Sequence, residues 1–260
     1  MTGAAVGRTL IEIDGEGPVI VFVHGLGGTS NSFQMLVGAL GGFRCVRPDL
    51  PGSGRSPRPF QALTMDLFVE TVAEIVQKVG GAAAHLVGHS LGTLVCLHLS
   101  VRNPEWVKSL SLFGPIAEPS DAARQRLRDR ARAARQDGMI GIADAAAGSG
   151  LSSASRNANP LLAPFVRESH MRQDPEGFAQ SCEALAAAEG ADLRFLRCPT
   201  LIVTGDEDAI APPSAAQAIA DKVKGSKIKV LEHCGHWTPF ERPRDCAKLL
   251  SEHVRAVEAA

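Results

Sequence analysis

Residues 84–93 read AHLVGHSLGT, a short apolar run that stops abruptly at Gly-His-Ser-Leu-Gly. How that run ends decides the fold. A strand that stops at G-x-S-x-G and turns straight into a helix carries Ser90 on a sharp, strained turn, the setting of a serine nucleophile. The same residues also fit a glycine-rich turn in which Ser90 only caps the helix that follows. The choice rests on whether the rest of the chain supplies a base, an acid and a site for an oxyanion.

Working outward, the first half alternates strand and helix signals. PVIVFVHG (18–25), FRCVRPDL (43–50), HLVGH (85–89) and SLSLFG (109–114) are short apolar runs that end in turn residues. Between them lie helical patterns at Ser32–Leu40, at Thr64–Val79 (Leu67, Val72, Ile75, Val76 and Val79 in step) and at Leu91–Arg102. Apolar strands without polar alternation, separated by helices, specify a mainly parallel sheet covered on both faces. An additional strand, RTLIEID (8–14), is expected to form a hairpin with 19–23 across DGEGP. From 116 to 197 the chain turns Ala- and Arg-rich with helical spacing and no strand. Strand-then-loop patterns resume at CPTLIVTGDED (198–208) and KIKVLEHCGH (227–236), and an amphipathic helix begins near Arg244. The expectation is an α/β core over 1–115 and 198–260, interrupted by a helical lid over 116–197. There is no internal repeat and no low-complexity linker.

Composition narrows the classes. With 260 residues, 45% hydrophobic and 21% charged, and a formal net charge of -1, the chain can bury a full core. It gives no electrostatic reason to expect nucleic acid or an anionic membrane as partner. Met1–Leu10 lacks the basic and apolar regions of a secretory signal, and no stretch approaches a membrane span. Six cysteines without CxxC spacing read as reduced thiols of a cytoplasmic protein. Cys234, two residues before His236, suggests a metal ligand, but no second Cys/His cluster joins it, so neither metal nor cofactor is expected. A small-molecule substrate is the expected partner, and a homo-oligomer is left open.

In an open parallel sheet, ligands bind beyond the carboxyl ends of the strands. Four loops leave such ends: HGLGG (24–28), GHSLG (88–92), GDED (205–208) and CGHW (234–237). A serine hydroxyl is a poor nucleophile without a neighbouring base, and His236 is the candidate. His89 lies inside the Ser90 turn and points away from Ser90. His24 shapes the HGLGG loop, and His233 lies in or beside a strand. His85, His98, His170 and His253 fall in segments far from these loops. Asp208 is preferred as the acid, being furthest from its strand end; Asp206 reads as capping the loop, with Glu207 and Glu118 behind it. The Leu91 amide at the helix start and the Leu26 amide of HGLGG are the expected oxyanion donors. GLGGTS lacks both the Lys-Ser/Thr ending of a P-loop and the full G-x-G-x-x-G spacing, so nucleotide binding loses.

On HGLGG, PDLPGSGRS (48–56), GHSLG, PTLIVTGDED and GHWTPFERP, in that order, the chain resembles the α/β-hydrolase superfamily along essentially its whole length. The resemblance implies the α/β-hydrolase fold: a mostly parallel twisted sheet with helices on both faces and a helical lid insertion. The order Ser90, Asp208, His236 matches that fold. Asp49 and Ser53 belong to the resemblance as turn formers. Within the superfamily, DPEGFAQSCEALAAAEGADL (174–193) resembles the end of the lid in small esterases and lactonases, particularly 3-oxoadipate enol-lactonases. Many of these lack the histidine of HGLGG.

In the lid, Arg124, Arg126, Arg128, Arg130, Arg132 and Arg135 step by two or three residues and so spray around the helix, while Leu127, Ala131 and Ala134 form its buried stripe. Met139, Ile142, Leu161, Leu162, Phe165 and Phe178 are candidates for an apolar pocket wall, and Met139, Phe165 and Trp237 for substrate contact. The expected activity is hydrolysis of a carboxylic ester or lactone through an acyl-enzyme. C–C cleavage of a β-diketone-like compound uses the same constellation. A ligand sensor that retains the site without sustained turnover is the reading from another class.

Overall fold

The computed structural model describes residues 2–260. Eight strands form one sheet: β1 (Thr2–Val6), β2 (Thr9–Asp14), β3 (Val19–Val23), β4 (Arg44–Pro48), β5 (Ala84–His89), β6 (Val107–Phe113), β7 (Thr200–Gly205) and β8 (Lys227–Leu231). Their order is β1-β2-β4-β3-β5-β6-β7-β8, parallel from β4 to β8, with β1 and β2 antiparallel at one edge. β3, β5 and β7 are buried along their whole length, which is why VIVFV and TLIVTG show no polar alternation. β8 closes the other edge, and its exposed Lys227 and Lys229 discourage further strand pairing.

The helices are α1 (Gln34–Val37), α2 (Met65–Gly80), α3 (Leu91–Arg102), α4 (Asp121–Asp137), α5 (Ile140–Ser149), α6 (Ser153–Ala158), α7 (Leu162–Met171), α8 (Pro175–Ala187), α9 (Pro213–Ala220), α10 (Thr238–Glu241) and α11 (Pro243–Glu258). Side-chain caps begin several of them: Thr64 accepts from the Leu67 amide, Ser120 from Ala123, and Asp174 from Gly177. None of the helices is long and apolar enough to cross a membrane.

α4 to α8 occupy the chain between β6 and β7. Leu127, Ala131 and Ala134 are the buried residues of α4, as the sequence pattern predicts. Arg135 forks between Glu176 and Glu183 of α8, and Arg124 pairs with Glu118. Part of the arginine run therefore cross-links helices at the surface.

One expectation fails. β2 pairs with β1 on one side and β4 on the other, not with 19–23. The β1 sequence TGAAV is small, largely exposed and without alternation, so nothing local marks it as a strand. Once β1 supplies the hairpin, β2 joins the sheet beyond β4.

The strand order reverses at β3, whose neighbours are β4 and β5. Such a reversal opens a crevice between adjacent strand ends, and HGLGG and GHSLG leave the two strands on either side of it. The start of α3 is pressed against β3. A Cβ on Gly92 would stand 2.0 Å from the Val23 carbonyl oxygen, and one on Gly88 would stand 2.6 Å from that of Gly92. Gly92→Ala is expected to cost about 2–3 kcal/mol, measured by urea unfolding. An unchanged midpoint would show that α3 is free to withdraw.

Candidate active site

Ser90 begins α3 with φ 53° and ψ -121°, and its side chain makes no capping hydrogen bond. Among the described non-glycine residues only His233 shares this positive φ. The capping-serine alternative therefore lacks its defining bond, and the turn is strained as a raised side chain requires. The backbone pins it there. Ser90 N–H donates to the Phe113 carbonyl at 3.1 Å, and the Ser90 carbonyl accepts from the Thr93 amide and hydroxyl. Gly25 lies so close that a Cβ on it would be 2.7 Å from Ser90 Cβ.

His236 stands on the loop after β8. Its ring rests on Gly114, where an added Cβ would meet Nδ1 and Cε1 at 3.1 Å. The adjacent residues Phe113 and Gly114 thus bear Ser90 on one side and His236 on the other. His236 Nδ1 is 2.8 Å from Asp208 Oδ2. A carboxylate only accepts, so Nδ1 carries a proton. The Ile210 and Ala211 amides donate to Asp208 Oδ1. Burial opposes the charge on Asp208, but the His236 ring and these amides outweigh it and hold the carboxyl below its usual range. His236 is 4% exposed and Asp208 2%. Asp206 instead accepts from the Cys234 amide, the loop-capping role expected of it. Glu118 pairs with Arg124.

Leu26 and Leu91 line one cavity of about 10 Å³ with Phe178 and Gly27, a volume that suits a single water. Among the described residues, no carbonyl or side chain accepts from the amide of Leu26 or of Leu91.

Two nearby histidines, His24 and His89, are buried with their pKa values lowered and so stay neutral. His24 Nε2 accepts from the Leu50 amide, so its proton sits on Nδ1 and points to the Gly25 carbonyl. His89 Nε2–H donates to the His236 carbonyl at 2.9 Å. Its side chain leaves the Ser90 turn, as expected, but it ends by holding the backbone of His236.

His170, placed by the sequence pattern far from these loops, belongs among them. Its ring lies against Gly27, where a Cβ would be 2.3 Å from Nε2, and packs edge-on to Trp237. Ser169 Oγ and Gln173 Nε2, from the same end of α7, donate to the Gly27 carbonyl. The signal for this contact is the glycine at 27, with φ +70°; nothing near residue 170 announces it. Trp237 is buried between His89 and Phe240, and Met139 is buried in the core that includes Phe178. Phe165 is 39% exposed and packs edge-on against Phe240, and Leu161 is exposed. Phe178 takes the cavity wall instead.

Among the described residues no three His, Cys, Asp or Glu side chains are grouped to hold a metal. Cys234 is buried, and burial pushes its thiol up, away from the thiolate a metal needs.

Residues 20–249 match the model of the alpha/beta hydrolase family. The chain belongs to that family. It is 28% identical to the 2-hydroxymuconate semialdehyde hydrolase of Pseudomonas sp. (strain CF600), over 97% of this chain and 92% of that enzyme. The enol-lactonase of Burkholderia xenovorans LB400 superposes with a TM-score of 0.91 at 26% identity, covering 98% of this chain and all of that one, 100%. A thermophilic esterase from Thermogutta terrifontis superposes with a TM-score of 0.90, also at 26% identity, covering 98% and 96%. This alpha/beta hydrolase thus resembles an esterase, an enol-lactonase and a 2-hydroxymuconate semialdehyde hydrolase over nearly its full length.

The neutral histidines carry a pH signature. Burial lowers all three: His24 below its ordinary range, His89 to about 3 with the nearby His236 adding to the effect, and His170 to about 4 with Arg130 adding. Below the unfolded value near 6.5 the unfolded chain binds more protons than the folded one, so stability falls as pH falls. By pH 5 His89 and His170 are each expected to cost about 2 kcal/mol. Thermal melts from pH 7.5 to 4.5 should show a falling midpoint, with a shallower fall in His89→Gln. A flat profile would mean these rings protonate freely in the folded state.

Proposed function

We propose that this alpha/beta hydrolase cleaves a carboxylic ester or lactone through an acyl-enzyme on Ser90. The observation that supports this most is the uncommitted Ser90 side chain, raised on a strained turn beside a histidine whose Nδ1–H is already taken by Asp208. Ser90 Oγ attacks the carbonyl carbon and its proton passes to His236 Nε2. The Leu26 and Leu91 amides, which have no acceptor among the described residues, donate to the oxygen that becomes negative. As the carbon–oxygen bond breaks, His236 Nε2–H protonates the leaving alcohol or enol. Water then enters, gives its proton to Nε2 and attacks the acyl carbon. Ser90 leaves with that proton and the carboxylic acid departs. Asp208 keeps the ring in the Nδ1–H tautomer and stabilises the imidazolium.

Residues 116–197 are assigned as the lid over this site, with Met139 and Trp237 at its inner wall. The cavity beside the two amides has room for about one water. Phe165, partly exposed against Phe240, is kept among the proposed substrate contacts.

A second reading has a specific support. The 2-hydroxymuconate semialdehyde hydrolase relative spans 97% of the chain, and hydrolysis with a carbon leaving group uses the same nucleophile, base and oxyanion donors. Initial rates on matched simple esters, lactones and β-diketones separate the two. Sustained turnover on esters or lactones supports the first, and turnover confined to the diketones the second. Slow single turnover with strong ligand-induced stabilisation would instead indicate a sensor.

Ser90→Ala is expected to abolish fluorophosphonate labelling and to lower kcat by on the order of 10⁶; retained labelling would remove Ser90 from the mechanism. Asp208→Asn is expected to keep the fold and lower kcat by about 10⁴ through loss of the tautomer. A variant with normal kcat would move the acid elsewhere.

A further inference from the structure

Glu241 is a buried carboxylate, 6% exposed, five residues beyond His236. It accepts three backbone hydrogen bonds. Oε1 takes the Trp237 amide at 3.1 Å, and Oε2 takes those of Gly235 and Ser152, each at 2.9 Å. Gly235 and Trp237 are the residues on either side of His236. Ser152 lies between α5 and α6, in the segment assigned as the lid.

The bond to Trp237 alone would be a helix cap, since Trp237 starts α10. The other two are not explained that way. They join the approach to His236 and the lid segment to one carboxylate oxygen. The remaining backbone bonds of His236 complete the arrangement: its N–H donates to the Gly150 carbonyl at 2.9 Å, and its carbonyl accepts from His89. Every peptide group around His236 is therefore tied, one directly to Gly150 and two to Glu241, which also holds the Ser152 amide. Ser152 Oγ adds a bond to the His233 carbonyl. An imidazole whose Nδ1–H must stay on Asp208 while Nε2 serves a substrate has little rotational tolerance, and mispositioning of about 1 Å costs roughly 10²-fold in rate.

We propose that Glu241 is a positioning residue for His236, and that it couples the orientation of this ring to the Gly150–Ser152 segment of the lid. The proposal rests on His236 as the base in the reading above. Replacing one Glu241 oxygen by an amide NH₂ sets a donor against amide donors, so Glu241→Gln keeps the volume and loses part of the clamp.

The test compares wild type, Glu241→Gln and Glu241→Asp. Competent sites are counted by fluorophosphonate stoichiometry, and kcat and KM for p-nitrophenyl acetate are taken per competent site. The downfield proton NMR signal of His236 Nδ1–H is recorded without substrate. The expected result for Glu241→Gln is a native far-UV spectrum, kcat per competent site down by about 10- to 100-fold, KM within about twofold, and a shifted or broadened Nδ1–H signal. A purely structural carboxylate would lower thermal stability and the number of competent sites while leaving per-site kcat and the Nδ1–H signal as in wild type, and that result overturns the proposal. If Glu241→Gln loses its native spectrum, Glu241→Asp is read the same way, and unfolding of both assigns Glu241 to stability alone. Should wild type neither label nor turn over, the hydrolytic reading fails, while the Nδ1–H signal still reports whether Glu241 orients the ring.

Discussion

The buried hydrogen bond between His236 Nδ1 and Asp208 Oδ2 is the constraint on which the rest of the site depends. Both side chains are almost wholly removed from water, so each needs the other. A carboxylate left unpaired at that depth would cost several kcal/mol. The bond is possible because β7 and β8 are parallel neighbours whose following loops emerge side by side. They touch closely enough that a Cβ on Gly205 would be 2.0 Å from the Cys234 carbonyl oxygen. His236 is directed by Asp208 and seated on Gly114, and the Ser90 N–H is bound to the neighbouring Phe113 carbonyl.

Much of this was legible in the sequence. Strands buried on both faces announce themselves by uninterrupted Val, Ile and Leu, and a parallel sheet puts every following loop at the same end. That geometry alone gathers HGLGG, GHSLG, GDED and CGHW. It also explains why Asp206 and Asp208, two residues apart, take different roles: Asp206 is still near the strand end and caps the next loop, whereas Asp208 reaches the histidine. What was illegible depends on long-range packing. The partner of β2 is set by an exposed edge strand of small residues that has no pattern of its own. His170 reaches Gly27 across more than half the chain, and neither the helical spacing around it nor its own neighbours encode the destination. The partners of Glu241 are equally hidden: GHWTPFERP contains the carboxylate, but one of its donors is Ser152.

These long-range ties give the helical segment between β6 and β7 a part beyond covering the sheet. Its Gly150–Ser152 turn holds the His236 loop, and the end of α7 holds the Gly27 carbonyl in the loop that presents the Leu26 amide. The proposed base and one proposed oxyanion donor therefore each lean on this helical segment. The alpha/beta hydrolase fold supplies the strand ends; the helices between β6 and β7 supply contacts that hold two of the loops leaving them.

The central claim is that turnover passes through a covalent bond to Ser90. Its most direct measurement is intact-mass spectrometry with peptide mapping of enzyme quenched within a single turnover of p-nitrophenyl acetate. The account predicts one acetyl group, on the peptide containing Ser90, forming at the rate of the product burst and decaying at the steady-state rate. An acetyl group on another residue, or product release with no acylated enzyme at any time, would contradict it.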